Sequence, residues 1–255
     1  MRSMRILVVN PNTSVAMTDK IGAAARAVAA PGTEIIAVNP ADGPVSIEGY
    51  YDEVFSVPGL LAEIAKGEAF SKGETLGVSA HIIACFDDTG LEAARSLASA
   101  PVIGIGEAAF HLASLVAHRF AVVTTLSRSI PAIETNLVKY GLASRCAKVR
   151  ACEVPVLALD DPASNASAQI SAEIERARHE DRAEAIVLGC AGMADLAARL
   201  TEQHGLPVID GVASAVKLAE ACSVLGLKTS KTGAYATPLS KTYLGAFAAF
   251  APRRD

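Results

Sequence analysis

Aromatic side chains are scarce in this sequence: tryptophan is absent, and aromatic residues make up only 5% of the chain. Side chains on which single-stranded nucleic acid could stack are therefore few. Positive charge is also limited, because 27 acidic residues outnumber 23 lysines and arginines and no basic patch stands out. Nucleic acids and anionic membrane surfaces attract proteins with clustered positive charge. We therefore expect neither nucleic acid nor a membrane as a partner.

Long apolar runs are missing as well. Runs such as Ala185–Leu188 are far too short to cross a bilayer. The apolar stretch Ile6–Val9 near the N-terminus is too short for a signal peptide, and Asn10-Pro11 ends it at once. We therefore expect a cytoplasmic protein.

Motifs that bind metals or nucleotides are weak or missing. The five cysteines are an odd number without a CxxC pair, so in a reducing compartment we expect free thiols. The histidines show no spacing typical of zinc ligands. Residues 104–109 fit GxGxxA, but the next predicted strand ends without the acidic residue that would hold a ribose. Adjacent Asp87 and Asp88 are interpreted as capping of a helix N-terminus, and we expect neither a metal nor a cofactor.

Short apolar runs alternate with alanine-rich stretches along the whole chain. This alternation is typical of parallel sheets with crossover helices. The polar, glycine-bearing segment Gly67–Leu76 is predicted to be a mobile connector. The predicted strands are Arg5–Val9, Glu34–Val38, His81–Ala84, Val102–Ile105, Ala121–Thr125, Lys148–Cys152, Ala185–Leu188 and Pro207–Ile209.

The two halves of the chain repeat the same order of elements. The run Arg5–Val9 is echoed by Arg119–Val123, each half contains a strand that ends on a cysteine, and each then has a Pro-Val-Ile strand. We predict an α/β fold of two pseudo-symmetric lobes, each a mainly parallel sheet flanked by helices, with the site in the cleft between them. The first lobe would comprise residues 1–115 and 210–255, and the second residues 116–209.

Cys85 and Cys190 end the corresponding strands of the two halves. Ligands of open α/β sheets bind outside the carboxyl ends of strands, and a following helix could lower the thiol pKa. Two related lobes would bring the thiols to opposite faces of one ligand. One thiolate could then remove a proton from a carbon acid while the other thiol delivers a proton to the opposite face. Cys146, Cys152 and Cys222 are interpreted as packing residues.

Four motifs carry a family likeness. Asn10–Ser14, Gly49–Asp52, Cys85–Gly90 and Gly189–Met193 together resemble the hydantoin racemase branch of the Asp/Glu racemase superfamily. The likeness extends from about residue 4 to about residue 237. It implies a two-lobe fold and cofactor-independent racemisation at the carbon that bears the 5-substituent of a hydantoin. It also implies Cys85 and Cys190 as the acid/base pair.

The resemblance implies further contacts to the substrate. Asn12 would donate a hydrogen bond to a ring carbonyl, and Thr124 and Thr125 would contact the ring by hydroxyl or backbone amide. Tyr50 or Tyr51 would form a wall of the pocket. The residues expected to offer backbone N–H groups are Phe86, Ala191 and Gly192.

Several rival functions remain open from the sequence. The nearest is allantoin racemase, which performs the same chemistry with a ureido substituent. Amino-acid racemases of the superfamily show Cys-Asn-Thr and Gly-Cys-Thr-Glu, whereas this chain has Cys-Phe-Asp and Gly-Cys-Ala-Gly, which argues against a free amino acid. A decarboxylase or isomerase with one cysteine and a non-catalytic small-molecule-binding protein are more remote. We also expect a homo-oligomer, because α/β enzymes of this size commonly self-associate.

Overall fold

Two four-stranded sheets carry the fold in a computed structural model, which describes residues 4–73, 77–161 and 163–252. All neighbouring strands within each sheet run parallel. The first sheet has the order β2-β1-β3-β4 and the second β6-β5-β7-β8. The strands are β1 (Met4–Val9), β2 (Thr33–Val38), β3 (Ala80–Ile83), β4 (Val102–Gly104), β5 (Phe120–Thr124), β6 (Cys146–Ala151), β7 (Ala185–Gly189) and β8 (Val208–Ile209).

The two sheets are built to one plan. In each, the first strand of the half lies second in spatial order and pairs with the second and third strands. Strands β3 and β7 therefore occupy equivalent central positions, and every residue of both is buried. Burial on both faces explains why these strands are continuous apolar runs rather than alternating ones. The predicted two-lobe α/β fold is confirmed.

Helices connect the strands and cover both sheets. Helix α4 follows β4 of the first sheet but also packs against β7 of the second, whereas α8 packs against β3 and α4. The lobe boundaries proposed at residues 115/116 and 209/210 stay a prediction. The helices are α1 (Val15–Val28), α2 (Tyr50–Gly73), α3 (Leu91–Leu97), α4 (Ile105–Val116), α5 (Ile130–Lys139), α6 (Ala166–Glu180), α7 (Ala197–His204) and α8 (Gly211–Val224).

Helix α2 is longer than the sequence pattern predicted. The segment Gly67–Leu76 was expected to be a mobile connector, but the helix continues to Gly73, and residues 74–76 lie outside the described part. A Cβ at Gly67 would lie 2.7 Å from Cε1 of His81, so the helix packs directly on β3 there. The Glu68 carboxylate accepts hydrogen bonds from the Ser99 and Ala100 amides. These contacts stabilise the helix in a segment whose polar, glycine-bearing composition predicts a connector.

One hydrophobic core joins the two lobes. Phe110 of α4 lies at its centre, with ring centroids 5.4 Å from Phe86 and 6.0 Å from Phe120. Phe86 directly follows Cys85, so the aromatic cluster fixes the backbone beside that thiol. None of the described helices is long and apolar enough to cross a membrane.

Candidate active site

A cleft opens where the carboxyl ends of strands from both sheets face each other. It contains about 430 Å³ of empty space, its open mouth included. Parallel strands place their carboxyl ends at one edge, which is where α/β proteins bind ligands. The residues that line it are Asn10, Pro11, Asn12, Met17, Ile47, Ala84, Cys85, Phe86, Asp87, Thr124, Thr125, Ser129, Val156, Gly189, Cys190 and Ala191.

Cys85 and Cys190 line this one cleft from opposite lobes. Each is half-buried and follows the central strand of its sheet. Each carbonyl also accepts from the amide three residues later: Cys85 from Asp88 at 3.0 Å, and Cys190 from Met193 at 3.1 Å. The internal repeat seen in the sequence is therefore a repeat of local geometry around the two thiols.

The electrostatics of the thiols differ from the prediction. Burial of the sulfur raises the pKa of Cys190 to about 12, against a smaller opposite effect of the Gly192 amide. Burial and the neighbouring Asp87 charge raise the pKa of Cys85 well above its usual range. Helix α3 begins only at Leu91, too far along the chain to present its N-terminus to Cys85. The expected lowering of the thiol pKa is wrong for this structure, because desolvation outweighs the N–H groups.

Polar groups nevertheless contact both sulfurs. The Thr89 hydroxyl lies 3.3 Å from Cys85 Sγ, and the Asp87 amide also donates to that sulfur. The Gly192 amide donates to Cys190. A Cβ at Gly192 would lie 2.9 Å from Leu159 Cδ1, so the Leu159 side chain packs closely over this glycine. The only signal for Thr89 in the sequence is its position four residues after Cys85.

Asn12 is held in place by a buried polar network. Its Oδ1 accepts from Asn10 Nδ2 at 2.8 Å and from the Ser14 amide at 2.9 Å. Asn10 Nδ2 also donates to Thr18 Oγ1 at 3.0 Å. Since the oxygen of Asn12 is occupied, its Nδ2 group faces Met17 Sδ at 3.3 Å, a weak acceptor at the cleft wall. The amide is thus oriented as a donor.

The two threonines at the end of β5 also face the cleft. The Thr124 hydroxyl donates to the Gly189 carbonyl at 3.0 Å, which ties β5 to the strand that leads to Cys190. The Thr125 carbonyl accepts from the Val154 amide at 3.1 Å. Both residues are buried. The Thr125 carbonyl and the Thr124 hydroxyl hydrogen therefore already form hydrogen bonds within the protein.

Three residues that were predicted to contact the substrate do not line the cleft: Tyr50, Tyr51 and Gly192. Tyr50 is 57% exposed and Tyr51 77% exposed, and neither lines the cleft. Gly192 does not line the cleft either, although its amide donates to Cys190. The role of a tyrosine as a pocket wall stays a prediction, whereas the described wall contains the apolar side chains of Met17, Ile47 and Val156.

The contacts of Asp88 explain the GxGxxA pattern of residues 104–109. Its carboxylate accepts from the Gly106 and Glu107 amides at 3.0 and 2.8 Å, and from the Tyr140 hydroxyl at 2.8 Å. A Cβ at Gly104 would lie 2.2 Å from Asp88 Oδ1. Asp88 thus caps α4, and the glycines of GxGxxA make room for this carboxylate. Among the described residues, no group of three His, Cys, Asp or Glu side chains is placed to hold a metal ion.

Comparison with known proteins gives consistent matches. Residues 6–219 match the family model Asp/Glu/Hydantoin racemase. A hydantoin racemase from Rhizobium meliloti is 50% identical over 242 residues, which are 95% of this chain and 98% of the relative. A solved allantoin racemase from Klebsiella pneumoniae is 51% identical with a TM-score of 0.93, covering 98% of this chain and 100% of that one. Another from Pseudomonas fluorescens is 41% identical with a TM-score of 0.87, covering 95% and 100%.

The family likeness predicted from the four motifs is confirmed by these matches, and so is the enzyme class, a racemase. The family model spans the end of β1, both cysteine turns and most of α8, so the resemblance is not limited to one lobe. The chain belongs to the Asp/Glu/Hydantoin racemase family.

Proposed function

We propose that this protein racemises 5-monosubstituted hydantoins without a cofactor, with Cys85 and Cys190 as the two bases. The observation that carries the proposal is that both thiols line one cleft from equivalent strand ends of opposite lobes. A planar ring held between them would present one face of its C5 carbon to each sulfur.

The reaction then needs one thiolate and one thiol. The thiolate takes the proton from C5, and the C–H electron pair moves toward C4 so that the C4 carbonyl becomes an enolate. The opposite thiol gives its proton to C5 from the other face, and the enolate returns to the carbonyl. The product is the mirror-image hydantoin, and the thiol and thiolate have exchanged roles. No electrons enter or leave, so no redox partner is required.

Several groups are placed to stabilise the enolate oxygen. Among the described residues, the backbone N–H groups of Phe86 and Ala191 have no acceptor in the protein, and both residues line the cleft. The Asn12 amide is oriented as a donor by its network with Asn10. Preorganised donors of this kind act strongly where water is excluded. We assign Thr124 and Thr125 to the same wall.

The raised pKa of the thiols fits a weakly acidic C–H substrate. Burial raises the pKa of Cys190 to about 12, so its thiolate is a stronger base than an ordinary one. Proton transfer becomes easier as the pKa of the base approaches that of the carbon acid. The cost is a smaller thiolate fraction at neutral pH, so we expect activity to rise as the pH becomes alkaline.

The 5-substituent distinguishes the two leading substrates. Met17, Ile47 and Val156 give the cleft an apolar wall, which supports an alkyl or aryl substituent. Allantoin, with its ureido group, is the second candidate, because the Klebsiella pneumoniae allantoin racemase is 51% identical to this chain. The chemistry at C5 is the same for both.

Polarimetry on single enantiomers tests the proposal. The optical rotation of an alkyl, aryl or ureido hydantoin should decay to zero with purified protein and no added cofactor. Cys85→Ser and Cys190→Ser should each abolish racemisation, while Cys222→Ser, on α8 away from the cleft, should retain it. In deuterated water, each active-site variant should exchange the C5 hydrogen of at most one enantiomer. A constant rotation for all three substituent classes, or full activity in either cleft variant, contradicts the proposal.

Two further properties follow from the site and the surface. Both thiols must stay reduced, so we place the enzyme in a reducing compartment, the cytoplasm. Leu239, Leu244 and Phe247 near the C-terminal end are exposed by 79%, 82% and 57%. Exposed apolar side chains in one segment favour burial against another protein surface, and we propose a homo-oligomer. Sedimentation of the purified chain tests this assembly.

A further inference from the structure

Asp87 differs from the other residues of the cleft wall in its negative charge. Of the described residues that line the cleft, it is the only carboxylic acid. The sequence pattern predicts that Asp87 and Asp88 cap the helix that follows them, but this is wrong: α3 begins after Gly90 without a side-chain cap, and Asp88 caps α4 instead. Among the described residues, the Asp87 carboxylate has no hydrogen-bond partner.

The backbone of Asp87 is fixed from both sides. Its amide donates to Cys85 Sγ, and its carbonyl accepts from Asn136 Nδ2 at 2.8 Å, a side chain of the opposite lobe. Its charge acts on the sulfur of Cys85 and on that of Cys190. The Asp87 backbone is held by two hydrogen bonds, and its carboxylate shares one cleft with both thiols. Such a group can contact a ligand that lies between the sulfurs.

The sign of the charge decides which part of a hydantoin can lie there. Two ring atoms flank C5: the C4 carbonyl carbon and the N1 nitrogen with its hydrogen. Negative charge builds on the C4 oxygen in the enolate, so a carboxylate beside that oxygen would oppose the reaction. The N1–H group is a donor, and a carboxylate is its natural acceptor.

We infer that Asp87 binds the N1–H group of the ring and thereby orients C5 between the two sulfurs. The inference rests on the proposed function. It makes Asp87 a specificity-determining residue for cyclic ureides that carry hydrogen on the nitrogen next to the reacting carbon. The C4 carbonyl would then accept from the N–H donors of the cleft, Phe86, Ala191 and Asn12.

Substrate methylation tests this pairing without changing the protein. Three substrates with the same 5-substituent are compared by kcat/KM: the parent hydantoin, its N1-methyl derivative and its N3-methyl derivative. A hydrogen bond to a charged group contributes enough that N1-methylation should lower kcat/KM by about tenfold or more. The N3-methyl compound is the matched control for added bulk.

Variants separate hydrogen bonding from steric exclusion. Asp87→Leu keeps a branched side chain of similar size but has no acceptor. The kcat/KM ratio between the parent and the N1-methyl substrate should therefore decrease to about one. Asp87→Asn keeps a neutral acceptor and should give an intermediate ratio. Glu53→Gln is the matched charge control, because the Glu53 charge acts on Asp87 and Cys85 but its side chain does not line the cleft. At pH 9, above the Asp87 pKa of about 7, the carboxyl group is ionised in both proteins, and Glu53→Gln should leave the ratio unchanged.

The outcomes separate this inference from the proposed function. If the wild-type protein racemises no hydantoin, the proposed function is wrong. If it racemises the parent and the N1-methyl compound equally well, the proposed function stands and the role of Asp87 is overturned, even if the variants fail to fold. If Asp87→Leu keeps the wild-type kcat/KM ratio between the parent and the N1-methyl substrate, the shape of the cleft and not the carboxylate discriminates between them. That result also overturns the inference.

Discussion

The hydroxyl of Thr89 lies 3.3 Å from the sulfur of Cys85, which also accepts from the Asp87 amide, whereas Cys190 accepts from the Gly192 amide and has no such hydroxyl among the described residues. The two halves therefore repeat the amide two residues after the thiol, but only the first half adds a hydroxyl. A side-chain hydroxyl can donate or accept, while an amide can only donate. The two sulfurs are consequently not equivalent, although the strands that carry them are.

Removing the Thr89 hydroxyl should affect one thiol selectively. This hydrogen bond lowers the pKa of Cys85 against the effect of burial, so Thr89→Val should raise that pKa further and reduce its thiolate fraction. Loss of one such bond corresponds to up to about a tenfold decrease in the rate at which iodoacetamide alkylates Cys85. Mass spectrometry of the alkylated peptides gives the rate for each cysteine. Alkylation of Cys190 should be unchanged, and Thr89→Ser should restore the rate at Cys85.

The Glu53 carboxylate should control the pH dependence of the reaction. Its Oε1 atom is buried without a partner among the described residues, and its charge raises the pKa of both Asp87 and Cys85. Glu53→Gln removes this charge, so both pKa values should fall and the alkaline rise in activity should shift to lower pH. The measurement is the rate of C5 hydrogen exchange between pH 6 and pH 10. A profile that is unchanged or displaced to higher pH would refute this electrostatic role.

Asp87 should make the folded state less stable as the pH rises. Burial and the Glu53 and Asp88 charges raise its pKa from 3.8 to about 7. Between the unfolded and the folded pKa, the folded state holds the proton more tightly than the unfolded state. The stability that the protonated group contributes is therefore complete below the unfolded pKa and is lost as the pH rises through the folded pKa. Asp87→Asn should therefore gain on the order of 1 kcal/mol relative to the wild type between pH 4 and pH 8, after screening is allowed for. Urea unfolding at the two pH values measures the difference, and a constant difference would show that Asp87 does not titrate in this window.

Gly104 should be sensitive to the smallest side chain. A Cβ there would lie 2.2 Å from Asp88 Oδ1, so Gly104→Ala would push the carboxylate away from the α4 amides that it caps. Loss of a buried cap predicts a decrease in unfolding free energy of about 2 kcal/mol or more. Thermal unfolding measures this loss. An unchanged unfolding midpoint would mean that Asp88 can move without leaving the cap.

Much of this architecture could be predicted from the sequence because buried parallel strands have a distinctive pattern. β3 and β7 are short, continuous apolar runs, and each ends in a cysteine, so both the strands and their equivalence were visible. The membership of the family could be predicted for the same reason, since its motifs lie at the strand ends. Local sequence carries this information because the strand, the turn and the thiol are neighbours along the chain.

Other features depended on contacts that are distant in sequence. The thiol pKa values rise because of burial, which no local motif reports. Asp87 and Asp88 are adjacent and chemically identical, yet one faces the cleft and the other caps α4, because Tyr140 and the Gly106 amide come from other elements. The helix at Gly67 persists because it packs on His81. Tyr50, the first residue of α2, is exposed and does not line the cleft.

The packing of α4 against β7, and of α8 against β3, has a consequence for the independence of the two halves. Each half covers one face of the other half's inner strand with its own last helix. A chain consisting of one half alone would leave that apolar face exposed to water, and burial of such surface is the main driving force of folding. Neither half therefore forms a complete core by itself, and the two lobes depend on each other to fold.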